Sequence, residues 1–535
     1  MIFGVFPGEQ FTSFRGLFEG LAQLQAIEFK PLSSLTDAEP NAFILIAPSL
    51  NSLQEATRQG KPIFVFLSAQ APRITPGEPI RFSSSSLLDG LLRNRILQDA
   101  VAPNGAIGTM GATKVEEFAR KGSDLVWART TFPHGSADVV AYGPPWSSEN
   151  QHLFERWEGK RFMPLLPLIH FIRQIGGDST WQRPPVRACF ILDDLNLHWP
   201  SYGYIRYGGL IESARRHNYH VAMATVPLDS WFTHRPTADL FRRNPDRISL
   251  LIHGNNHTRQ ELARRRTAES NRRLGAQALR RIARLEALTA LNVSRVMVPP
   301  HGACSESTAA ALLQLGFEAV CVSRGAIMTY NPQVRWPRSA GLTPAAFVGG
   351  GMPVIPRFGR TRYWQNDVLL AAFIGQPILP LGHHNDFKDG YGVLEESADF
   401  VNSLGPVHWT NMTEIARTNF LQRRSPDTLH VRAFSRRLRF NVPPGTGTCT
   451  VEPAWPELDR QGNVVVEQKG ESSQVTLDAR KNLTINDPGG ELQIHFVHRE
   501  RVDHNGLPPA PGMIWPFARR VLSEGRDRVQ SLLSQ

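Results

Sequence analysis

The chain has 535 residues, 41% hydrophobic and 20% charged, the proportions of an ordinary folded protein, which exclude long disorder and collagen-like repeats. Formal net charge is +11, from 59 Lys plus Arg against 48 Asp plus Glu, yet no lysine lies between Lys160 and Lys388, which excludes a P-loop or Schiff-base lysine across the middle of the chain. No apolar run reaches the roughly 18 residues of a membrane span, and the start, MIFGVFPGEQ, lacks a leader pattern, so a cytoplasmic location is expected. Cys189, Cys304, Cys321 and Cys449 form no CxxC pair, so neither a thiolate zinc cage nor a disulfide framework is expected.

This length predicts three or four domains at roughly 100–200 residues each. Residues 1–176 alternate buried apolar runs (2–6, 43–46, 63–67) with a helical stretch over 13–25, which predicts an α/β domain with a parallel sheet and assigns it no role. Residues 177–185, with Trp181 and Pro184-Pro185, read as a linker. From 186 to 420, apolar runs recur at 188–192, 221–226, 248–252, 293–298, 319–322, 353–356, 378–381 and 406–409, most of them separated by helical patterns such as 258–288 and 305–315. Eight such units predict a distorted (β/α) barrel. Residues 425–500 alternate with period two between PPGTG, RQGN and NDPGG turns, which predicts a small antiparallel β-sandwich. A Pro-rich tether then leads to a C-terminal amphipathic helix within 513–535. Its stripe of Phe517, Val521, Leu522, Val529, Leu532 and Leu533 is expected to dock on the parent protein, with Arg519, Arg520, Arg526 and Arg528 outward; contact with a membrane surface or a biosynthesis complex is the alternative.

Chemistry concentrates where four of the barrel runs end. They stop at Asp193-Asp194, at His253, at Pro299-Pro300-His301 and at Gly382-His383-His384. An acid or imidazole at the end of a buried strand is costly unless paired or metal-bound. Four such ends put these groups together on the C-terminal face, where barrel active sites form. His253 and His257, at i and i+4, suit two imidazoles on one face of a helical turn, and with one carboxylate they make a facial set open to water and substrate.

In these motifs the chain resembles the polysaccharide deacetylases of the NodB-homology type, carbohydrate esterase family 4. Phe190-Ile-Leu-Asp193-Asp194 matches the family's Asp-Asp strand, His253 and His257 its His-x-x-x-His, Val298-Pro-Pro-His301-Gly302 its Arg-x-Pro-Tyr-Gly in part, and Leu381-Gly-His383 its Leu-x-His. The matches keep the family's order over less than half the chain. Val298 stands where the family has an arginine paired with its base, Leu195 where it has glycine, and His301 where it has tyrosine.

The resemblance implies that Asp194, His253 and His257 hold one divalent ion, zinc first, with cobalt, nickel or manganese as alternatives. It implies Asp193 as general base and His383 as general acid, with His384 competing for that role because the register is open. The N–H of His301, with Pro300 beside it, would face the developing oxyanion, and His198 is a candidate pocket residue. The expected activity is removal of N-acetyl groups from an amino sugar, an oligosaccharide or a carrier-linked glycan. The rival is a catalytically silent, sugar-binding or scaffold protein of polysaccharide biosynthesis. The arginine-rich stretch after His257 has its apolar residues at helical spacing, so its cations form a solvated face and nucleic acid is not an expected partner.

Overall fold

The computed structural model describes the chain except residues 38, 71–72, 109–110, 146–151, 158, 458–459, 461, 479–480, 512–513 and 534–535, and omits the side chains of 527, 528 and 530–533. It is a mixed α/β structure with two nine-stranded sheets and two four-stranded ones.

The first sheet is parallel only in half of its width. Glu28–Pro31, Ile2–Phe6, Ala42–Ile46, Ile63–Phe66 and Gly135–Val140 run parallel, as the buried runs require. Beyond them Asp124–Phe132, Lys114–Lys121, Ile74–Phe82 and Ile96–Val101 continue antiparallel, which corrects the expectation of a parallel sheet. Two-residue connections cause the change: Lys121 pairs with Asp124 and Phe132 with Gly135, turns that admit only hairpins. The core of this region extends onto the helix Trp364–Ile374, whose Val368, Leu369 and Phe373 are fully buried in it.

The second large sheet carries the four chemical strand ends. Its order is Ala346–Val348, Met352–Pro356, Ala319–Val322, Val293–Val298, Ile248–His253, Val221–Thr225, Phe190–Leu195, Pro380–Gly382, Phe358–Gly359. Met352–Pro356 and Phe358–Gly359 lie towards opposite ends of that order but are separated in the chain by Arg357 alone. The sheet therefore curls until its two sides meet at this arginine. Side chains inside the curl are mostly small or β-branched, among them Ile191, Ala222, Ala224, Val296, Ala319 and Cys321, which permits the tight curvature. The expected eighth run is not one of its strands. Val407–Trp409 is only partly buried and pairs with Val186–Ala188 in a separate two-stranded sheet.

Two four-stranded sheets follow, starting with Phe420–Ser425 and Arg437–Val442. Their facing sides share a core that includes Leu429, Val431, Cys449, Leu438, Phe440 and Ile494. Pairing is antiparallel except between Thr428–Ala433 and Thr448–Pro453, which run parallel.

The C-terminal helix, Ile514–Leu533, corrects its expectation in the opposite sense from the usual one. It turns Arg520 and Glu524 inward, while Val521, Leu522 and Val529 are exposed. Buried Asp229 and His198 beneath it supply the partners that draw the polar face in. Of the expected stripe, the side chains of Leu532 and Leu533 lie outside the described residues, as does that of Arg528.

Candidate metal centre

Interior and exterior residues alternate along each strand. Ile191, Leu251 and Ile355 all belong to the interior cluster, so positions two further on, 193, 253 and 357, share that face. Adjacent residues would normally diverge, yet both carboxylates of the Asp-Asp pair turn toward the site. A β-bulge explains this: Asp193 pairs with Ala224 and Leu195 with Thr225, so Asp194 is the unpaired extra residue, held at φ 75°.

Asp194, His253 and His257 form the one three-ligand group of this kind among the described residues, with ligand atoms all within 4.8 Å of one another. Nε2 of His257 is 2.7 Å and Nε2 of His253 3.5 Å from Asp194 Oδ1. That oxygen is buried beside the two imidazoles. Ligands of a tetrahedral zinc ion at about 2.1 Å lie roughly 3.4 Å apart, so small side-chain movements suffice to seat an ion. Burial works against charge on Asp194, but the neighbouring imidazoles hold its carboxyl well below the usual range. His253 is preset for ligation: its Nδ1 donates to the carbonyl of Val298 at 2.9 Å, which leaves Nε2 bare in the neutral ring.

The His-x-x-x-His segment is not the helical turn expected. His253 ends its strand, residues 254–258 form a loop, and the next helix is Ala268–Thr289 rather than a run from 258. Glu261, 1% exposed, organises that loop. Its carboxylate accepts the backbone N–H of Asn255 at 2.5 Å, Asn256 at 3.1 Å and His257 at 3.2 Å. Gly254 at φ 66° makes room, since a Cβ there would sit 2.3 Å from Glu261 Oε1. His257 itself adopts φ 53°, a left-handed conformation that this carboxylate cradle sustains. Asn255 and Asn256 are held through their side chains by Arg281.

Asp193 is 4% exposed and forms a bidentate pair with Arg357, Oδ1 to Nη1 at 2.7 Å and Oδ2 to Nη2 at 2.9 Å. Burial pushes its pKa up, but Arg357 and His253 overcome this and hold the carboxyl below its ordinary value. Arg357 thus provides the cation absent at Val298. Arg357 follows Met352–Pro356 as the acids and imidazoles follow their strands, but an arginine is not a metal ligand and carries no signal of its own at a strand end. Glu261, in a turn, and Asp229, within the short helical turn Pro227–Trp231, carry no comparable signal.

The remaining expected residues divide. Leu381 pairs with Ile191 and Gly382 with Leu192, so the register sets His383 level with Asp193; its side chain is exposed. His384 is buried against Tyr202 and Tyr204 instead, with ring centroids 5.4 and 5.9 Å away. His301 is exposed at φ 57°, its ring 5.2 Å from that of His257, and Pro300 is buried beneath it. His198 is buried: Nε2 donates to the Asp229 carbonyl at 2.8 Å and Nδ1 lies 3.0 Å from Glu524. Burial disfavours its charge, yet the Glu524 carboxylate and the Asp229 carbonyl hold its pKa above the ordinary value.

The C-terminal helix closes over these groups, an arrangement the sequence did not predict. Arg520 pairs with Asp229 and donates to the Asp194 carbonyl at 3.1 Å. Arg519 donates to the His257 carbonyl and lies 3.1 Å from His257 Nδ1. A guanidinium only donates, so Nδ1 is the acceptor and the neutral ring carries its hydrogen on Nε2, the atom a cation needs bare. Seating an ion therefore requires Arg519 to withdraw from Nδ1.

No protein-family model and no curated protein matches the sequence. The structure does match solved polysaccharide deacetylases over about 44% of the chain at low identity. A candidate polysaccharide deacetylase from Mycobacterium smegmatis is 14% identical over 44% of this chain and 92% of its own, with TM-score 0.33. A family 4 carbohydrate esterase from Streptomyces lividans, in complex with acetate, is 9% identical over 42% and 88%, with TM-score 0.25. A CE4 family pseudoenzyme from Bacillus anthracis is 11% identical over 44% and 66%, also with TM-score 0.25.

Two substitutions should move metal affinity in opposite directions, as read by chelator competition. Arg519→Ala should tighten binding by about tenfold, and Glu261→Gln should weaken it by about tenfold, the scale of groups that orient ligands from behind. Equal affinities in both variants and the parent would contradict this account of His257.

Proposed function

We propose that the chain is a metal-dependent N-deacetylase acting on an acetylated amino sugar, an oligosaccharide or a carrier-linked glycan. The observation that carries this reading is the pairing of a two-imidazole, one-carboxylate group with a second, separately clamped carboxylate at the same strand end. A divalent ion held by Asp194, His253 and His257, with zinc first and cobalt, nickel or manganese as alternatives, would supply Lewis acidity toward an amide carbonyl.

Asp193 is the general base in this reading. Arg357 keeps it ionised and fixes its plane, so that it takes the proton of the attacking water. His383 is preferred over His384 as the acid that protonates the leaving amine, because the pairing register sets it level with Asp193 while His384 packs against two tyrosines. The backbone N–H of His301, turned by its left-handed conformation, is assigned to the developing oxyanion. His198 is moved from the pocket to a supporting role, since both its ring nitrogens are engaged.

A silent sugar-binding or scaffold protein is the second reading, and the contact of Arg519 with His257 favours it. Acetate release from acetylated amino sugars separates the two. Asp193→Asn should keep bound metal and lower turnover by about 10²–10⁴-fold. Undiminished turnover in this variant would remove Asp193 as base, and metal-loaded protein without turnover on any acetylated amino sugar would favour the silent protein.

A further inference from the structure

The outward side of the C-terminal helix poses a separate problem. Sixteen large apolar side chains are exposed among the described residues, and nine of them gather at this helix and the loops beside it. On the helix, Trp515 is 66% exposed and Leu522 68%, with Ile514, Val521 and Val529 on the same side at helical spacing. Phe517 joins this face to the neighbouring loop, its ring centroid 5.6 Å from that of Trp231. Trp231, Phe232 and Trp199 extend the apolar surface around buried His198, each about half exposed. An apolar surface so concentrated marks a docking surface rather than chance exposure.

We propose that this face docks on an anionic lipid bilayer, with the helix lying in the plane of the interface. Charge selects this occupant. Exposed arginines border the apolar surface: Arg259 follows the His257 loop, Arg264 lines the same cleft as Pro511 at the approach to the helix, Arg235 follows Trp231-Phe232, and Arg526 lies on the helix itself. Aromatic and aliphatic residues rimmed by cations match an interface of acyl chains under anionic headgroups. Tryptophans suit the headgroup boundary, where a ring is part apolar and part wet. No helix among the described residues is long and apolar enough to cross a membrane, consistent with lying on it. The inner face of the same helix stays engaged with Asp229, His198 and the metal-site loop, so docking sets that site against the bilayer surface. The inference stands whether or not the site is catalytic.

Co-sedimentation of the full chain with vesicles tests it, comparing pure phosphatidylcholine with a mixture rich in phosphatidylglycerol. The protein should sediment with the anionic vesicles and release as salt rises. The double variant Trp515→Ser, Leu522→Ser should partition at least about tenfold less; both side chains are solvent-exposed, and an unchanged far-UV circular dichroism spectrum verifies its fold. Failure of the wild type to sediment, equal binding to neutral vesicles, or unchanged partition of the double variant would overturn the proposal. So would a lipid-free dimer that the double variant dissociates, which would make a second copy of the chain the occupant.

Discussion

The geometry of the site depends on a buried ion pair at a seam. Arg357 sits where the two sides of the curled sheet meet and clamps Asp193 with both arms of its guanidinium. A carboxylate this deep would be expensive alone, and removing either partner would strand a charge at a cost of roughly 3–5 kcal/mol. The pair thereby ties the closing of the sheet to the placement of the first aspartate. The bulge at Asp194 then brings the second carboxylate to the histidines instead of the opposite face.

Left-handed backbone at Asp194, His257 and His301 shows how much of the surrounding structure serves this arrangement. Such conformations cost on the order of 1–3 kcal/mol each for residues other than glycine and persist only where neighbours determine them. For His257 the determinant is visible: Glu261 gathers three successive amides, and Arg281 pins the two asparagines between the histidines. The C-terminal helix then adds two arginines to a site built around carboxylates. Electrostatically, Arg520 takes a position near Asp194 that a dication would contest, its Nη1 3.9 Å from Oδ1. An ion held by Asp194, His253 and His257 would compete with the helix for the same negative charge, and the outcome would set whether His257 faces a guanidinium or a metal ion.

The sequence was informative where burial and chemistry conflict within one short run. Apolar strands ending in Asp193-Asp194 and His253 mark the candidate site locally, and the runs 293–298 and 319–322 coincide with the observed strands. Periodicity was less informative where partners are distant. Arg357 and Glu261 are ordinary charges until the fold brings Asp193 and the His257 loop to them. The antiparallel half of the first sheet depended on two tight turns, KGSD and FPHG, hidden in a stretch without a chemical motif. Orientation of the last helix was illegible for a different reason: an amphipathic pattern identifies two faces but not which one the protein keeps. Buried Asp229 and His198 decided that choice.

The central claim is that Asp194, His253 and His257 share one cation. Cobalt(II) titration of the purified chain, followed by visible absorption, tests it most directly, because low-symmetry nitrogen and oxygen coordination gives characteristic d–d bands. The account predicts saturation at one equivalent in the parent protein and loss of those bands in His253→Ala. A parent protein that develops no bands, or a His253→Ala variant that saturates like the parent, would contradict it.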